Sequence, residues 1–152
     1  MIAVRRAAPG DAPPLAALRW SFRSGRAPSV EDEAAFIDRC TTWMRRELEA
    51  GGVWQCWVAA EDDHVVGQVW LQLLTKIPNP VGERHRHAYI SNLFVVPEAR
   101  GGVGRQLLVA ALDWAKQQAV DRVILWPTER STSLYERHGF VRLGDVMELR
   151  LP

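Results

Sequence analysis

Apolar and polar residues alternate along this chain with two different periods, which predicts helices and strands in one sequence. The segment 31–50 places an apolar residue every three or four positions, which predicts an amphipathic helix that ends at Gly51 and Gly52. Segments 53–60 and 65–75 are rich in β-branched and aromatic residues, and a short polar turn between them predicts a hairpin. The predicted apolar face of the helix consists of Phe36, Ile37, Cys40, Trp43, Met44 and Leu48.

The remaining segments complete the predicted order β-α-α-β-β-β-α-β-α-β-β. A first strand at 2–6 precedes a helix whose apolar stripe is Leu15, Leu18 and Phe22. After the hairpin the pattern predicts a loop at 76–87, a strand running into Val96, a helix at 102–118, a strand at 122–126, a helix around Tyr135 and a final strand pair within 140–151. One βαβ unit inside an antiparallel run predicts an α+β fold with a mixed, mostly antiparallel sheet flanked by helices.

Size and composition restrict the class of protein. The 152 residues suit one domain spanning 1–152, and the net charge of +1 leaves no basic surface typical of nucleic-acid binding. No apolar run approaches the length of a membrane span and no signal peptide is recognisable, so we expect a cytoplasmic protein. Cys40 and Cys56 lack the spacing of a disulfide framework or zinc site, and we expect no bound metal.

The segment 89–108 carries the clearest chemical signal. An apolar strand ends at Val95-Val96-Pro97, and a glycine-rich turn then opens directly into a helix. A helix that begins this way directs free backbone N–H groups and the positive end of its dipole at one point, which favours phosphate. We therefore expect the N–H groups of Gly101, Gly102, Val103, Gly104 and Arg105 to hold an anion, helped by the side chains of Arg100 and Arg105.

Two common phosphate loops do not fit this segment. A Walker loop requires a lysine and a hydroxyl residue after its last glycine, and neither follows Gly104. A dinucleotide fingerprint requires a third glycine three positions later, where the chain has Leu107. What remains resembles the pyrophosphate loop of the GNAT acetyltransferases, which bind acetyl-coenzyme A, although Ala99 occupies the usual Arg/Gln position and the arginine follows it.

A second segment, 128–140, resembles the closing motif of the same family, Asn-x-x-Ala-x-x-Leu-Tyr-Glu-Lys-x-Gly-Phe. Thr128, Ser131 and Arg137 replace the asparagine, the alanine and the lysine. The positions identical to the motif are Leu134, Tyr135, Glu136, Gly139 and Phe140. Two motifs in the right order and spacing identify the chain as a member of the GNAT superfamily.

The resemblance implies a reaction and a cofactor site. It implies direct transfer of an acetyl group from acetyl-CoA to a primary amine, with no covalent enzyme intermediate. The pantetheine arm would lie along Leu93, Phe94 and Val95, where that strand separates from the next, and a backbone N–H near Phe94 would meet the oxyanion. Tyr135 would hydrogen-bond the departing thiolate, and Thr128 and Ser131 would lie at the cofactor site.

The acceptor side of the predicted site is less defined. Glu83 and His87, with His85, are candidates for the general base, although they also fit a solvated loop of mixed charge. Trp20, Trp54 or Trp70 could form the wall of an acceptor pocket. A small-molecule amine is the first hypothesis; a protein N-terminus or lysine, and a non-enzymatic acyl-CoA sensor, are the alternatives. We expect acetyl-CoA and an amine as partners, no nucleic acid and no membrane, and leave a homodimer open.

Overall fold

Five strands form one mixed sheet in the spatial order β1-β2-β3-β4-β5. The computed structural model describes residues 1–152. Its strands are β1 (Ile2–Arg6), β2 (Trp54–Glu61), β3 (His64–Thr75), β4 (Arg86–Val95) and β5 (Val120–Ile124). Strands β1 to β4 pair antiparallel with one another, and β5 pairs parallel with β4, which confirms the predicted α+β class with a mixed, mostly antiparallel sheet.

Four helices flank this sheet. They are α1 (Ala12–Arg23), α2 (Glu33–Ala50), α3 (Val103–Lys116) and α4 (Thr132–Glu136), with short 3-10 turns at Pro9–Asp11 and Pro97–Ala99. Helix α2 begins where the Asp32 side chain accepts a hydrogen bond from the Ala35 N–H at 2.8 Å. It ends at Gly51, which has φ of 57°, as predicted from the glycine pair. None of the helices has the length and apolar character needed to cross a membrane.

The alternation of side chains along the strands builds two separate cores. One face of the sheet packs against α3 and α4, and the opposite face packs against α1 and α2. The first core contains Trp57, Ala59, Val69, Leu71, Ala88, Ile90, Val95, Val103, Leu107, Leu108, Ala111, Ala115 and Tyr135. The second contains Ala12, Leu15, Ala16, Met44, Cys56, Val58 and Trp70. Successive residues along β2, and likewise along β3, therefore point into different cores, as the two-residue period of a strand requires.

Strand β4 contains a β-bulge near its carboxyl end. Ser91 pairs with Trp70 and Phe94 pairs with Gln68, so β4 uses one more residue than β3 across this step. Asn92 lies within the bulge and has a left-handed φ of 59°. A bulge disrupts the ladder and changes which side chains face each side of the sheet. Ile90 and Val95 are five residues apart and would face opposite sides of a regular strand. Because of the bulge between them, both lie in the core beneath α3.

Strands β4 and β5 pair over only part of their length. The parallel pairs run from Arg86 with Val120 to Tyr89 with Ile124, and no pairs follow. The chain after Ile124 leaves the sheet, so β4 from Ile90 to Val95 has its β5-side edge open. The structure thus shows the strand separation that the family resemblance implied.

The predicted pair of closing strands within 140–151 does not form, and β5 occupies 120–124 instead of 122–126. Residues 141–152 adopt no regular element, and their apolar side chains are exposed, including Val141, Met147, Leu149 and Leu151. An alternating pattern specifies which face of a strand is apolar, but it does not supply a partner edge. Residues 141–152 therefore show the alternating pattern of a strand but do not pair with another strand.

We predict that Gly67→Ala destabilises the protein. A Cβ at Gly67 would lie 3.1 Å from a Leu107 methyl group and 3.2 Å from both the Phe94 carbonyl oxygen and a Val95 methyl group. Overpacking of this kind lowers the free energy of unfolding by about 1–3 kcal/mol, which can be measured by urea denaturation. Gly82→Ala is the matched control because a Cβ there meets nothing within 4 Å. Equal stability of the two variants would contradict this close contact between β3, β4 and α3.

Candidate active site

Five consecutive backbone N–H groups at the start of α3 have no acceptor within the protein. The first hydrogen bond at this end of the helix joins the Gln106 N–H to the Gly102 carbonyl oxygen at 3.1 Å. The N–H groups of residues 101–105 therefore remain available. Free N–H groups and the positive end of a helix dipole favour an anion, so the arrangement agrees with the sequence-based expectation, and anion binding there stays a prediction.

The glycines of this loop are required by its backbone conformation. Gly101 has φ of 131° and Gly102 has φ of 97°, a region that residues with a side chain rarely adopt. A Cβ on either residue would meet open space, so the requirement is conformational and not steric. Gly104 packs close to its surroundings, because a Cβ there would lie 3.8 Å from a Leu134 methyl group. A Cβ at Gly104 would therefore be in ordinary van der Waals contact, and the space at this position does not require glycine.

Three arginines surround the loop. The Arg100 Nε donates a hydrogen bond to the Val95 carbonyl oxygen at 3.1 Å, which draws this side chain toward the end of β4. Burial and the neighbouring charge of Arg130 lower the pKa of Arg100. Arg105 and Arg130 are exposed. Arg130 was not predicted, and its only sequence signal was its position inside the closing motif.

The end of β4, residues 93–95, lies along the chain between the bulge and the glycine-rich loop at 101–105. Leu93, Phe94 and Val95 follow Asn92 directly, and no β5 residue pairs with them. Leu93 and Val95 contribute to the core beneath α3, whereas the Phe94 ring packs 5.2 Å from the Phe22 ring of α1. The open edge matches the predicted course of a pantetheine arm, whose binding there stays a prediction.

Helix α4 places Tyr135 inside the core beneath α3. Its side chain is 7% exposed, and its ring packs 5.5 Å from that of Phe140. Burial raises the pKa of Tyr135 to about 12, against a smaller opposing effect of the Ser131 hydroxyl. The hydroxyl is therefore a neutral donor over the physiological pH range.

Thr128 and Ser131 bind each other ahead of α4. The Thr128 N–H donates to the Ser131 Oγ at 2.9 Å, and the Ser131 N–H donates to the Thr128 Oγ1 at 3.2 Å. The Thr132 hydroxyl also donates to the Thr128 carbonyl oxygen at 3.0 Å. These contacts order the turn that leads into Tyr135, so the structure supports a positioning function for both residues. Direct contact of either residue with a cofactor stays a prediction.

The structure places Glu83 and His87 at or before the start of β4, away from the bulge. His87 lies five residues before Asn92 along β4, a distance of about 17 Å in an extended strand. Its Nδ1 lies 3.0 Å from Asp121 Oδ1 without forming a hydrogen bond. Glu83 lies 3.7 Å from Lys76, and a hydrogen bond from Lys76, with its charge, lowers the pKa of Asp121. The two residues thus belong to an ion-pair cluster, and their function as a base stays a prediction.

A cavity of about 290 Å³ lies on the other side of the bulge, between α1, α2 and the sheet. It contains Trp54 and Trp70, two of the three tryptophans predicted as wall residues, together with Trp43, which was not predicted. Trp20 packs 5.7 Å from Phe36 and does not line the cavity. The complete lining is Arg19, Phe36, Arg39, Cys40, Trp43, Met44, Trp54, Trp70, Ser91 and Asn92.

Arg19 is the most informative lining residue that the sequence analysis missed. It is half-buried, and its guanidinium donates to the Asn92 Oδ1 at 3.3 Å. Leu15, Leu18 and Phe22 define the apolar stripe of α1, and Arg19 falls on that stripe by its spacing. A charged residue on an apolar stripe was the signal that could have identified it.

The two cysteines have no nucleophilic environment. Burial raises the pKa of Cys40 and raises that of Cys56 well above its ordinary value, so both remain thiols. No group of three or more histidine, cysteine, aspartate or glutamate residues is arranged to hold a metal ion.

Comparison with known proteins identifies the family. The model of the Acetyltransferase (GNAT) family matches residues 15–140, well over half of the chain. The chain belongs to the GNAT acetyltransferase family. The match includes both the glycine-rich loop and the Tyr135 motif, which confirms the family assignment made from those segments.

Solved GNAT structures share the fold over the whole chain. A predicted acetyltransferase from Clostridium acetobutylicum, solved with acetyl-CoA, is 21% identical, with a TM-score of 0.82 and coverage of 99% of this chain and 96% of that chain. A GCN5-related N-acetyltransferase from Ralstonia eutropha JMP134 is 23% identical, with a TM-score of 0.79 and coverage of 99% of both chains. Glucosamine-6-phosphate N-acetyltransferase from Arabidopsis thaliana is 16% identical, with a TM-score of 0.75 and coverage of 100% and 99%. At these identities the likeness establishes the GNAT fold and leaves the acceptor undetermined.

We predict that Tyr135 ionises only near pH 12. Its pKa in the folded protein is raised above the ordinary value near 10, so its contribution to stability is complete below pH 10 and is lost as pH rises through about 12. The measurement is the ultraviolet phenolate signal of the wild type minus that of Tyr135→Phe. Tyr89→Phe, which removes the other tyrosine, provides the control. A Tyr135-dependent signal near pH 10 would contradict the buried, neutral phenol.

Proposed function

We propose that the protein transfers an acetyl group from acetyl-CoA directly to a primary amine of a small molecule. The single observation that carries the proposal is the row of free N–H groups at residues 101–105, next to the open edge of β4. A diphosphate on the row would place an amide-bearing arm along Leu93, Phe94 and Val95, where unpaired backbone groups can bind it. Family membership and the related structure solved with acetyl-CoA support this choice of donor.

The anion-binding row is strong enough to hold such a donor. A hydrogen bond to a charged group contributes about 1.5–3 kcal/mol, so several amides suffice for useful affinity. The arginines at 100, 105 and 130 add attraction at the loop. No metal ion is needed to neutralise the diphosphate in this arrangement.

The proposed reaction requires the amine to arrive as the neutral base. Its nitrogen attacks the thioester carbonyl carbon, the new C–N bond forms, and the C–S bond then breaks to release the coenzyme A thiolate. The proton lost by the nitrogen balances the proton that the thiolate finally takes up. A backbone N–H near Phe94, beside the bulge, is the proposed donor to the oxyanion.

Tyr135 serves in this proposal as a hydrogen-bond donor to the sulfur as negative charge develops. With a phenol pKa of about 12 and a thiol pKa near 8.5, complete proton transfer from Tyr135 to the thiolate is uphill by about 5 kcal/mol. A hydrogen bond to the charged sulfur avoids this cost and still stabilises the leaving group. The proton that completes the free thiol therefore comes from the amine or from solvent.

The size of the cavity beside the bulge favours a small acceptor over a polypeptide. Its volume of about 290 Å³ lies at the lower end of ligand pockets. An acceptor there would approach the bulge from the side opposite the anion-binding loop. A base action of Glu83 or His87 would require an acceptor or a water chain that reaches the start of β4, so the proposal does not depend on either residue.

The cofactor site is tested by Gly102→Glu. A carboxylate in place of Gly102 would occupy the N–H row and repel the diphosphate, so we expect at least a 100-fold loss of acetyl-CoA affinity by calorimetry. Gly51→Glu is the matched control, because Gly51 also has a positive φ and open surroundings but lies at the end of α2. Both variants should melt cooperatively. Unchanged affinity in the Gly102 variant would refute the assignment of the loop.

Catalysis is tested separately by Tyr135→Phe. This substitution removes one hydroxyl from a buried ring, so we expect kcat to fall by about 100-fold with acetyl-CoA affinity changed less than threefold. The assay measures free thiol release with a panel of small amines, amino acids and peptides. Acetyl-CoA binding without turnover of any acceptor in the wild type would favour a non-enzymatic sensor, and preference for peptides would favour a protein acceptor.

A further inference from the structure

The cavity beside the bulge combines an aromatic wall with an unpaired positive charge. The rings of Trp43, Trp54 and Trp70 are mutual neighbours, with centroids 5.6, 5.7 and 6.2 Å apart. The Trp70 indole N–H donates to the Gln68 side chain at 2.9 Å. Trp70 therefore contributes an apolar ring surface to the cavity and no free hydrogen-bond donor. Such a wall suits an aromatic or large apolar group of the acceptor.

Arg19 supplies the unpaired charge. It is half-buried and has no carboxylate partner, and its one hydrogen bond is to the neutral side chain of Asn92. Arg39, the second arginine of the lining, already forms an ion pair with Glu31. No aspartate or glutamate lines the cavity, and the charge of Arg23 also acts on Arg19. A desolvated cation without a counter-ion is unfavourable, and a bound anion relieves that cost.

We infer that the acceptor is a small amine that also carries a carboxylate and an aromatic or large apolar group, as an aromatic α-amino acid does. The inference rests on the proposed acetyl transfer and specifies its substrate class. Arg19 binds the carboxylate with its planar guanidinium, and the tryptophan wall holds the side chain. A polyamine fits poorly, because its additional ammonium groups meet arginines and no carboxylate.

The position of Arg19 also suits the chemistry of the amine. Its contact with Asn92 places the guanidinium at the bulge, next to the open part of β4. A nearby positive charge disfavours the ammonium form of the acceptor and so favours the neutral amine that attacks the thioester. One residue would thus orient the acceptor by its carboxylate and help to deprotonate its amine.

The test compares two acceptors that differ only in their carboxyl group. Thiol release is measured with acetyl-CoA and either L-phenylalanine or L-phenylalaninamide, and kcat/KM is expected to be at least 10-fold higher for the amino acid. Arg19→Met should abolish this preference, and Arg19→Lys should retain part of it, because lysine keeps the charge but not the planar fork. Arg45→Met is the control on the exposed side of α2 and should keep the full preference.

Calorimetric measurement of acetyl-CoA binding to each protein distinguishes failure of the inferred acceptor class from failure of the proposed acetyl transfer. Equal efficiencies, a preference for the amide, or turnover of neither compound by a wild type that binds acetyl-CoA would overturn the inference and leave the proposed acetyl transfer intact. Loss of the preference in Arg45→Met as well as in Arg19→Met would also overturn it. A wild type that does not bind acetyl-CoA would overturn both.

Discussion

The unequal pairing of the two edges of β4 is the constraint on which the rest of this structure depends. One edge bonds to β3 along the strand, whereas the other bonds to β5 only from Arg86 to Tyr89. Backbone groups in a folded protein need hydrogen-bond partners, so an open edge is stable only where solvent or a ligand can supply them. The ladder with β3, interrupted only by the bulge, and the packing of Val95 beneath α3 hold the strand in place despite this opening. The open edge can therefore receive an amide-bearing ligand without rearrangement of the sheet.

In the proposed reaction the two faces of the sheet have different tasks, binding of the donor and binding of the acceptor. The core beneath α3 and α4 places the N–H row at 101–105 and the hydroxyl of Tyr135 on one side of β4. The core beneath α1 and α2 places Arg19 and the tryptophan wall on the other side. The bulge at Asn92 joins the two, because Ser91 and Asn92 line the cavity while Leu93 packs toward α3. Substitutions on opposite faces are then expected to affect donor and acceptor binding independently.

Features governed by local sequence were predicted more completely than features that depend on contacts between distant segments. The turn at 101–102 needs glycine because of its positive φ, and that requirement is visible in the sequence itself. The closing strands predicted within 140–151 do not form, since an alternating pattern specifies which face of a strand is apolar and not whether the strand pairs. Glu83 and His87 were predicted as bases on the acceptor side because they precede β4, and which end of the strand the acceptor uses is not visible in the sequence, although the two ends of a ten-residue strand lie about 30 Å apart. Arg19 was overlooked although its signal is local, since only the apolar residues of the α1 stripe were considered.

A phenol kept neutral to about pH 12 limits which group can supply the last proton of the proposed reaction. The burial that positions Tyr135 beside Phe140 also makes it a weak acid, so a hydrogen bond is all that it can offer a thiolate. The acceptor amine must consequently lose its own proton, and its pKa in the cavity controls how readily that occurs. Arg19 is the charged lining residue without an ion pair, and in the inferred complex its positive charge would lower that pKa. Leaving-group stabilisation and amine activation are thus assigned to opposite faces of one strand.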